Sequence, residues 1–159
     1  MRVFIAIDIP KNIRKEIVAI QNNLPEFSGK KTEPENLHLT LKFLGEIDEE
    51  KVEEVKKKLS EIKFRKFQAE LSEIGVFTPS FLKIIWVKLG GCDEIQKEVD
   101  KKLEGLFAKE KRFMSHLTIA RVKNVNDRRR FLVNSIKLKK STLTPEKPIY
   151  EDVLEIKLM

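Results

Sequence analysis

The tetrapeptide His38-Leu39-Thr40-Leu41 returns, nearly unchanged, as His116-Leu117-Thr118-Ile119. These are the only two histidines in the chain, and each opens or nearly opens a run with strand character, residues 37–44 and 116–122. With six threonines in 159 residues, a given histidine meets a threonine two places on by accident roughly one time in 25. The double occurrence therefore points to an internal duplication. In a strand, residues i and i+2 share one face while i+1 and i+3 take the other. His38 and Thr40 look one way, Leu39 and Leu41 the other, and the second copy repeats the pattern. Two such strands brought together by a pseudo-twofold line one cleft with two imidazoles and two hydroxyls.

The flanking sequence fits a repeated β-α-β-α-β unit. Residues 2–8 alternate and are β-branched, which predicts a strand. Pro10 opens a helix with Ile13, Ile17, Ile20 and Leu24 at helical spacing, and Pro25 stops it. A polar loop over 27–36 leads to the first tetrapeptide. Residues 49–62 predict a charged amphipathic helix with Val52, Val55 and Leu59 inward, and 67–77 a third strand. After a turn at 78–80 the order repeats, with a strand at 82–89, a break at Gly90-Gly91, a helix at 93–107 and a strand at 116–122. Asn126 predicts the N-cap of a short helix running to 135, and strands at 136–143 and 150–158 close the chain. The expectation is one domain over 1–159 in the α+β class. Its two pseudo-twofold lobes, about 1–79 and 80–159, hold antiparallel sheets lining a central cleft with helices outside, and the chain is free to cross between them.

Composition narrows the function. A chain of this length buries enough surface to fold without a staple. The single Cys92 excludes an internal disulfide and leaves no cysteine pair for structural zinc. The first ten residues carry Asp8 where a secretory signal stays apolar, no run is long enough for a membrane span, and a reducing, cytoplasmic setting is expected. Lys plus Arg outnumber Asp plus Glu by 32 to 25, a net charge of +7 with a pI near 9.4. That balance suits a polyanionic partner such as nucleic acid. A Lys- and Glu-rich surface with three Met and one Cys also has the character of a thermophile protein.

Two imidazoles on one cleft suit acid–base chemistry near neutrality, one ring accepting a proton while the other donates. Hydroxyls on the same face can hold non-bridging oxygens of a phosphate. Metal binding would require three or four ligands, with pairs close in sequence. No two His or Cys are close here, so no metal and no cofactor is expected. A nucleophile elbow of the Gly-x-Ser-x-Gly kind is absent, as is a phosphate-binding Gly-x-x-x-x-Gly-Lys loop.

The paired His-Leu-Thr-Leu/Ile motifs resemble the signature of the 2H phosphoesterase superfamily. The stretches 1–10, 35–47, 74–89 and 115–123 are similar to its RNA 2′,3′-cyclic phosphodiesterase branch, also called the 2′-5′ RNA ligase family, and the likeness runs through the whole chain. The resemblance implies a two-lobed α+β fold around a V-shaped cleft. It further implies hydrolysis of RNA 2′,3′-cyclic phosphate ends to a 2′-phosphate, with ATP-independent 2′-5′ ligation as a related activity. By that likeness His38 protonates the departing 3′-oxygen, His116 deprotonates the incoming water, and Thr40 and Thr118 hold the phosphate. Two departures stand out: Lys31 replaces an apolar residue common in the entrance loop, and Ser115 replaces a proline common before the second histidine.

Further substrate contacts are expected at four positions. Lys42 shares the parity of His38 and Thr40. Arg121 sits where the family carries an arginine after its second motif, although its parity is opposite to His116. Phe113, beside the second motif, and Phe77, beside a turn, lead a set of aromatics able to stack a terminal base that also includes Phe43, Phe81, Trp86 and Tyr150. The Arg128–Arg130 run on the expected short helix reads as a solvated face. The expected partners are RNA 3′ ends bearing a cyclic phosphate, tRNA fragments among them, with no membrane. A monomer suffices because the cleft is built within one chain. The alternatives are a phosphodiesterase for small cyclic nucleotides and an RNA-binding module without catalysis.

Overall fold

Alternation sets the strands. In β1 (Arg2–Asp8), Val3, Ile5 and Ile7 are 0–2% exposed and face the helices, while Phe4, Ala6 and Asp8 take the opposite face. The computed structural model describes residues 1–23, 30–77, 84–119 and 129–159, the side chains of 74–77, 84, 129 and 130 excepted. Along the chain come α1 (Lys11–Asn22), a 3-10 turn (Pro34–Asn36), β2 (His38–Glu46), α2 (Glu49–Ser60), β3 (Phe67–Phe77), β4 (Ile84–Gly90), α3 (Asp93–Lys102), β5 (His116–Thr118), β6 (Arg129–Val133), β7 (Ser135–Leu143) and β8 (Pro148–Lys157).

The strands form two four-stranded antiparallel sheets, ordered β2-β1-β7-β8 and β5-β4-β3-β6. The pseudo-twofold is visible in this order: each sheet has a His-x-Thr strand at its edge and, next to it, the antiparallel strand that precedes it across a helix. A division at residue 79 does not separate the sheets, however. β3, from the first half, is an inner strand of the second sheet, and β7 and β8, from the second half, complete the first. The chain crosses between the lobes twice, and one hydrophobic core containing residues of both sheets results.

The helices follow their predicted faces. Val52, Val55 and Leu59 of α2 are buried, and Asp48 caps it by accepting from Lys51 N at 2.8 Å, satisfying one of the otherwise unpaired amides of the first turn. α3 ends at Lys102, short of the expected 107. Gly105 takes φ +87°, and a residue in the left-handed region cannot continue a right-handed helix.

Arg129–Val133 is a strand, not part of the short helix expected over 126–135. Phe131 and Val133 are buried while Leu132 is 46% exposed, a period of two, and pairing with Phe67–Leu71 satisfies the amides of β3's outer edge.

The pairing of β2 with β1 contains the decisive irregularity. Asp8, Ile7 and Ala6 stand opposite His38, Leu39 and Thr40, but Ile5 stands opposite Lys42, so Leu41 is an extra, bulged residue. One extra residue reverses the alternation beyond it. Lys42 therefore shares the core face of Ile5, not the cleft face of His38, and is 4% exposed. Its ammonium is met at 2.5 Å by Asp100 of α3 and at 2.7 Å by the carbonyl of Ala108. Asp100 also accepts from Gln96 Nε2 and from Glu110 N, each at 2.9 Å. Lys42 is thus a buried tie between the first sheet and α3, which corrects the expectation of a substrate contact.

Removing one partner of a buried, hydrogen-bonded pair leaves the other charge uncompensated, at a cost of about 3–5 kcal/mol, whereas replacing both by apolar groups is far milder. Asp100→Ala is expected to lower urea-unfolding stability by about that amount. The pair Lys42→Met/Asp100→Leu should recover most of the loss. Equal losses in the single and double variants would remove the ion pair from this account.

Candidate active site

Each histidine is aimed by the backbone just before it. His38 Nδ1 lies 2.6 Å from the carbonyl of Asn36, and His116 Nδ1 lies 2.6 Å from the carbonyl of Met114. A carbonyl only accepts, so Nδ1 carries hydrogen in both rings, and in each neutral ring Nε2 is left as the basic nitrogen. The same offset of two residues in both copies shows the duplication at the level of tautomers. His38 Nε2 stands 3.1 Å from Thr40 Oγ1, so the imidazole and hydroxyl expected on one face do meet. In β5, Thr118 is exposed while Leu117 is fully buried, the alternation expected for the second motif.

The two edge strands come within 8 Å of each other, Cα to Cα, and contacts between lobes hold them there. From α1, Gln21 Nε2 donates to the carbonyls of Ile119 at 2.9 Å and Thr32 at 3.0 Å. Thr32 Oγ1 donates to the carbonyl of Thr118 at 2.8 Å. The segment leading to the first motif therefore straps the strand of the second.

Aromatic rings wall the histidines. Phe4 and Tyr150 lie 5.0 and 5.2 Å from the His38 ring, centroid to centroid, and 5.1 Å from each other. Trp86 lies 6.4 Å from His116. By register, Tyr150 belongs to the corner of the first sheet diagonally opposite His38. Bulges in β2 and β8 increase the sheet's coiling and bring these corners together. The corner is pinned by Asn36 Nδ2 donating to Pro148 O at 3.3 Å, Lys147 pairing with Glu35 at 2.7 Å, and Lys30 Nζ donating to Glu146 O at 3.1 Å.

Next to His38 the floor carries four charges. Asp8, directly opposite His38 on β1, pairs with Lys137 at 2.8 Å and Lys139 at 2.9 Å, and Asp152 pairs with the same two lysines at 2.8 Å each. Burial alone would raise the Asp8 carboxyl, but the two ammonium groups outweigh it and hold Asp8 below the usual carboxylate range. His38 is lowered, chiefly by burial, which disfavours imidazolium, and further by the charge of Lys139. The Asn36 carbonyl and Asp8 oppose the shift without reversing it.

Other sequence-based candidates fare differently. Phe113 is half-buried and packs against the hydrophobic core, so Tyr150 and Trp86 are the aromatics that stand beside the histidines. The side chain of Phe77, and Phe81 and Arg121 altogether, lie outside the described residues. Phe4, Asp8 and Lys139 were not anticipated. Phe4 and Asp8 were nonetheless legible in parity, since both alternate with the apolar Val3, Ile5 and Ile7. Among the described residues no three His, Cys, Asp or Glu side chains converge as metal ligands, and no helix is long and apolar enough to cross a membrane.

Known proteins resemble this chain in sequence and in fold. A family model described as LigT-like phosphoesterase matches residues 7–84. The RNA 2′,3′-cyclic phosphodiesterase of Methanocaldococcus jannaschii is 40% identical over 98% of this chain and 99% of its own length. That of Archaeoglobus fulgidus is 37% identical over 96% and 98%. The crystal structure of a Thermus thermophilus protein superposes with a TM-score of 0.87 at 26% identity, covering 99% of this chain and 97% of that one.

The environment of His38 has a measurable consequence. Followed by NMR in the ligand-free protein, its ring should titrate below the ordinary 6.5, and Phe4→Ala, which opens its apolar wall, should move the midpoint upward. A midpoint above 6.5 would show that Asp8, not burial, governs this ring.

Proposed function

The chain belongs to the LigT-like phosphoesterase family, and on that premise we propose that it opens 2′,3′-cyclic phosphates at RNA 3′ ends to leave a 2′-phosphate. One observation carries this reading: two His-x-Thr pairs on the edge strands of the two sheets, each imidazole held by its own upstream carbonyl with Nε2 as the working nitrogen. The names of the relatives supply the substrate class.

In this reaction water attacks phosphorus and the P–O3′ bond breaks in line. His116 Nε2 takes the proton of the water, and His38 Nε2 gives one to the departing 3′-oxygen, while the 2′-ester stays intact. The contact between His38 and Thr40 fits this assignment. In the neutral ring Nε2 accepts from the Thr40 hydroxyl. Once Nε2 is protonated, that hydroxyl is released to donate to a non-bridging phosphate oxygen, and the Nε2 proton is left for the departing 3′-oxygen. Thr118, exposed on the corresponding strand, offers the second hydroxyl. Positioning and charge stabilisation then provide most of the rate. A 5′-hydroxyl in place of water gives a 2′-5′ phosphodiester by the same steps. The strained cyclic ester already stores the energy, so ATP is not consumed. Ends of this kind, such as those of cleaved tRNA, fit the basic surface, and no residue from a second copy is needed.

A short RNA with a 2′,3′-cyclic end, incubated in EDTA, is expected to yield a 2′-phosphate. His38→Ala and His116→Ala should each lose about 10²- to 10⁴-fold in kcat. Undiminished turnover in either variant would reject the two-histidine mechanism, and no wild-type turnover with RNA still bound would favour a binding module. The pH profile tests the order of roles. An acid must start protonated, and burial holds the free His38 ring low. The alkaline limb of kcat/KM, which reports the free enzyme, should therefore fall below 6.5. The corresponding limb of kcat should lie higher, because a bound phosphate anion favours imidazolium. Loss of that limb in His116→Ala, rather than in His38→Ala, would reverse the roles.

A further inference from the structure

The two half-sites match in histidine, threonine and backbone geometry, but their cross-strand neighbours carry opposite charge. Opposite His38 on β1 stands Asp8, and opposite His116 at the equivalent place on β4 stands Lys88. The neighbouring positions fix where Lys88 points. Leu89 N donates to Ser115 O at 2.9 Å and Ile119 N to Ile85 O at 2.7 Å. The Lys88–His116 pair therefore falls between the hydrogen-bonded pairs, where opposed side chains lie closest and on the same face. Val87 and Leu89 are buried on the other side and Lys88 is exposed.

The charge balance differs as well. Asp8 is neutralised within the square it forms with Lys137, Lys139 and Asp152, and Lys42 is spent inside the core. Lys88 makes no ion pair among the described residues. A cation left uncompensated one strand inward from His116, on a flexible four-carbon stem, suits a phosphate rather than a structural role. The cyclic phosphate itself carries one negative charge and, on the reading above, already meets two imidazoles and two hydroxyls. We propose that Lys88 binds the phosphodiester that joins the terminal nucleotide to the rest of the RNA strand. Lys88 thereby selects oligonucleotides over cyclic mononucleotides. This assignment rests on the RNA-end reading of the site.

The test compares wild type, Lys88→Ala and Lys88→Arg on a cyclic-phosphate-ended trinucleotide and on a cyclic mononucleotide. The ratio of kcat/KM for trinucleotide over mononucleotide should fall roughly three- to tenfold in Lys88→Ala, mostly through KM at low salt, and Lys88→Arg should restore most of it. An unchanged ratio would overturn the proposal, including the case in which both substrates lose equally and Lys88 serves the cyclic phosphate itself. Binding of a trinucleotide ending in 2′-phosphate, followed by fluorescence anisotropy, needs no turnover. Its log–log salt slope should shrink by about 0.7 in Lys88→Ala, and an identical slope would count against the contact. Wild-type binding without turnover would instead reject the phosphodiesterase reading while leaving the salt comparison to judge Lys88.

Discussion

One surplus residue in an edge strand governs much of this molecule. With Leu41 bulged out of register against β1, β2 serves two environments along its nine residues. Its first half presents an imidazole and a hydroxyl to the cleft. Its second half turns a lysine inward to a carboxylate on α3. Without the bulge, Lys42 would stand in the cleft beside Thr40, and Asp100 would be a buried carboxylate without its cation. The bulge also adds twist, and twist brings the Pro148–Tyr150 corner over His38. The tie to α3 is thus a consequence of one local irregularity, and the aromatic wall follows from that bulge together with the second bulge of β2 and the one in β8.

The charges around the first histidine show how the fold accommodates polar groups so close to its core. Lys139 is 8% exposed, a depth at which a lone ammonium would be neutralised or rejected. It persists because two carboxylates share it with Lys137, and each carboxylate bridges both lysines. The resulting square has no net charge, so the depressed basicity of His38 follows mainly from desolvation by Phe4 and Tyr150 rather than from a strong local field. The second half-site has Trp86 as its ring and Lys88 as a charge without an ion pair among the described residues. A symmetric scaffold thereby holds an asymmetric pair.

The tetrapeptides, the period-two alternation and the amphipathic helices were sufficient to read the class, the duplication and the histidines with their threonines. What escaped the sequence depended on pairing. Whether Lys42 faces the cleft is decided by a register shift between two strands, and nothing in residues 38–46 announces where the extra residue will fall. The capping chemistry of Asn126 predicts a helix where Arg129–Val133 is a strand, because the edge of β3 that needs a partner lies some sixty residues away in sequence. Gly105, by contrast, is a helix terminator visible within residues 93–107, where the apolar spacing of Ile95, Val99, Leu103 and Leu106 argues for continuing the helix. Phe113 shows the limit of reading aromatics from neighbourhood alone: adjacency to a motif does not tell a ring that packs on the core from one that stands open.

The reciprocal exchange of strands also constrains how the molecule can be made. Arg2 pairs with Ser141, so the first sheet joins the two extremes of the described chain. During vectorial synthesis β3, β4, β5 and β6 are all available before β7, and the second sheet can be completed first. β1 and β2, joined through α1, must wait as an antiparallel pair with one edge of β1 unsatisfied. A row of open amides on an apolar strand invites the wrong partner. The β7–β8 hairpin is therefore what protects β1, and delay in its arrival is the hazard this topology carries.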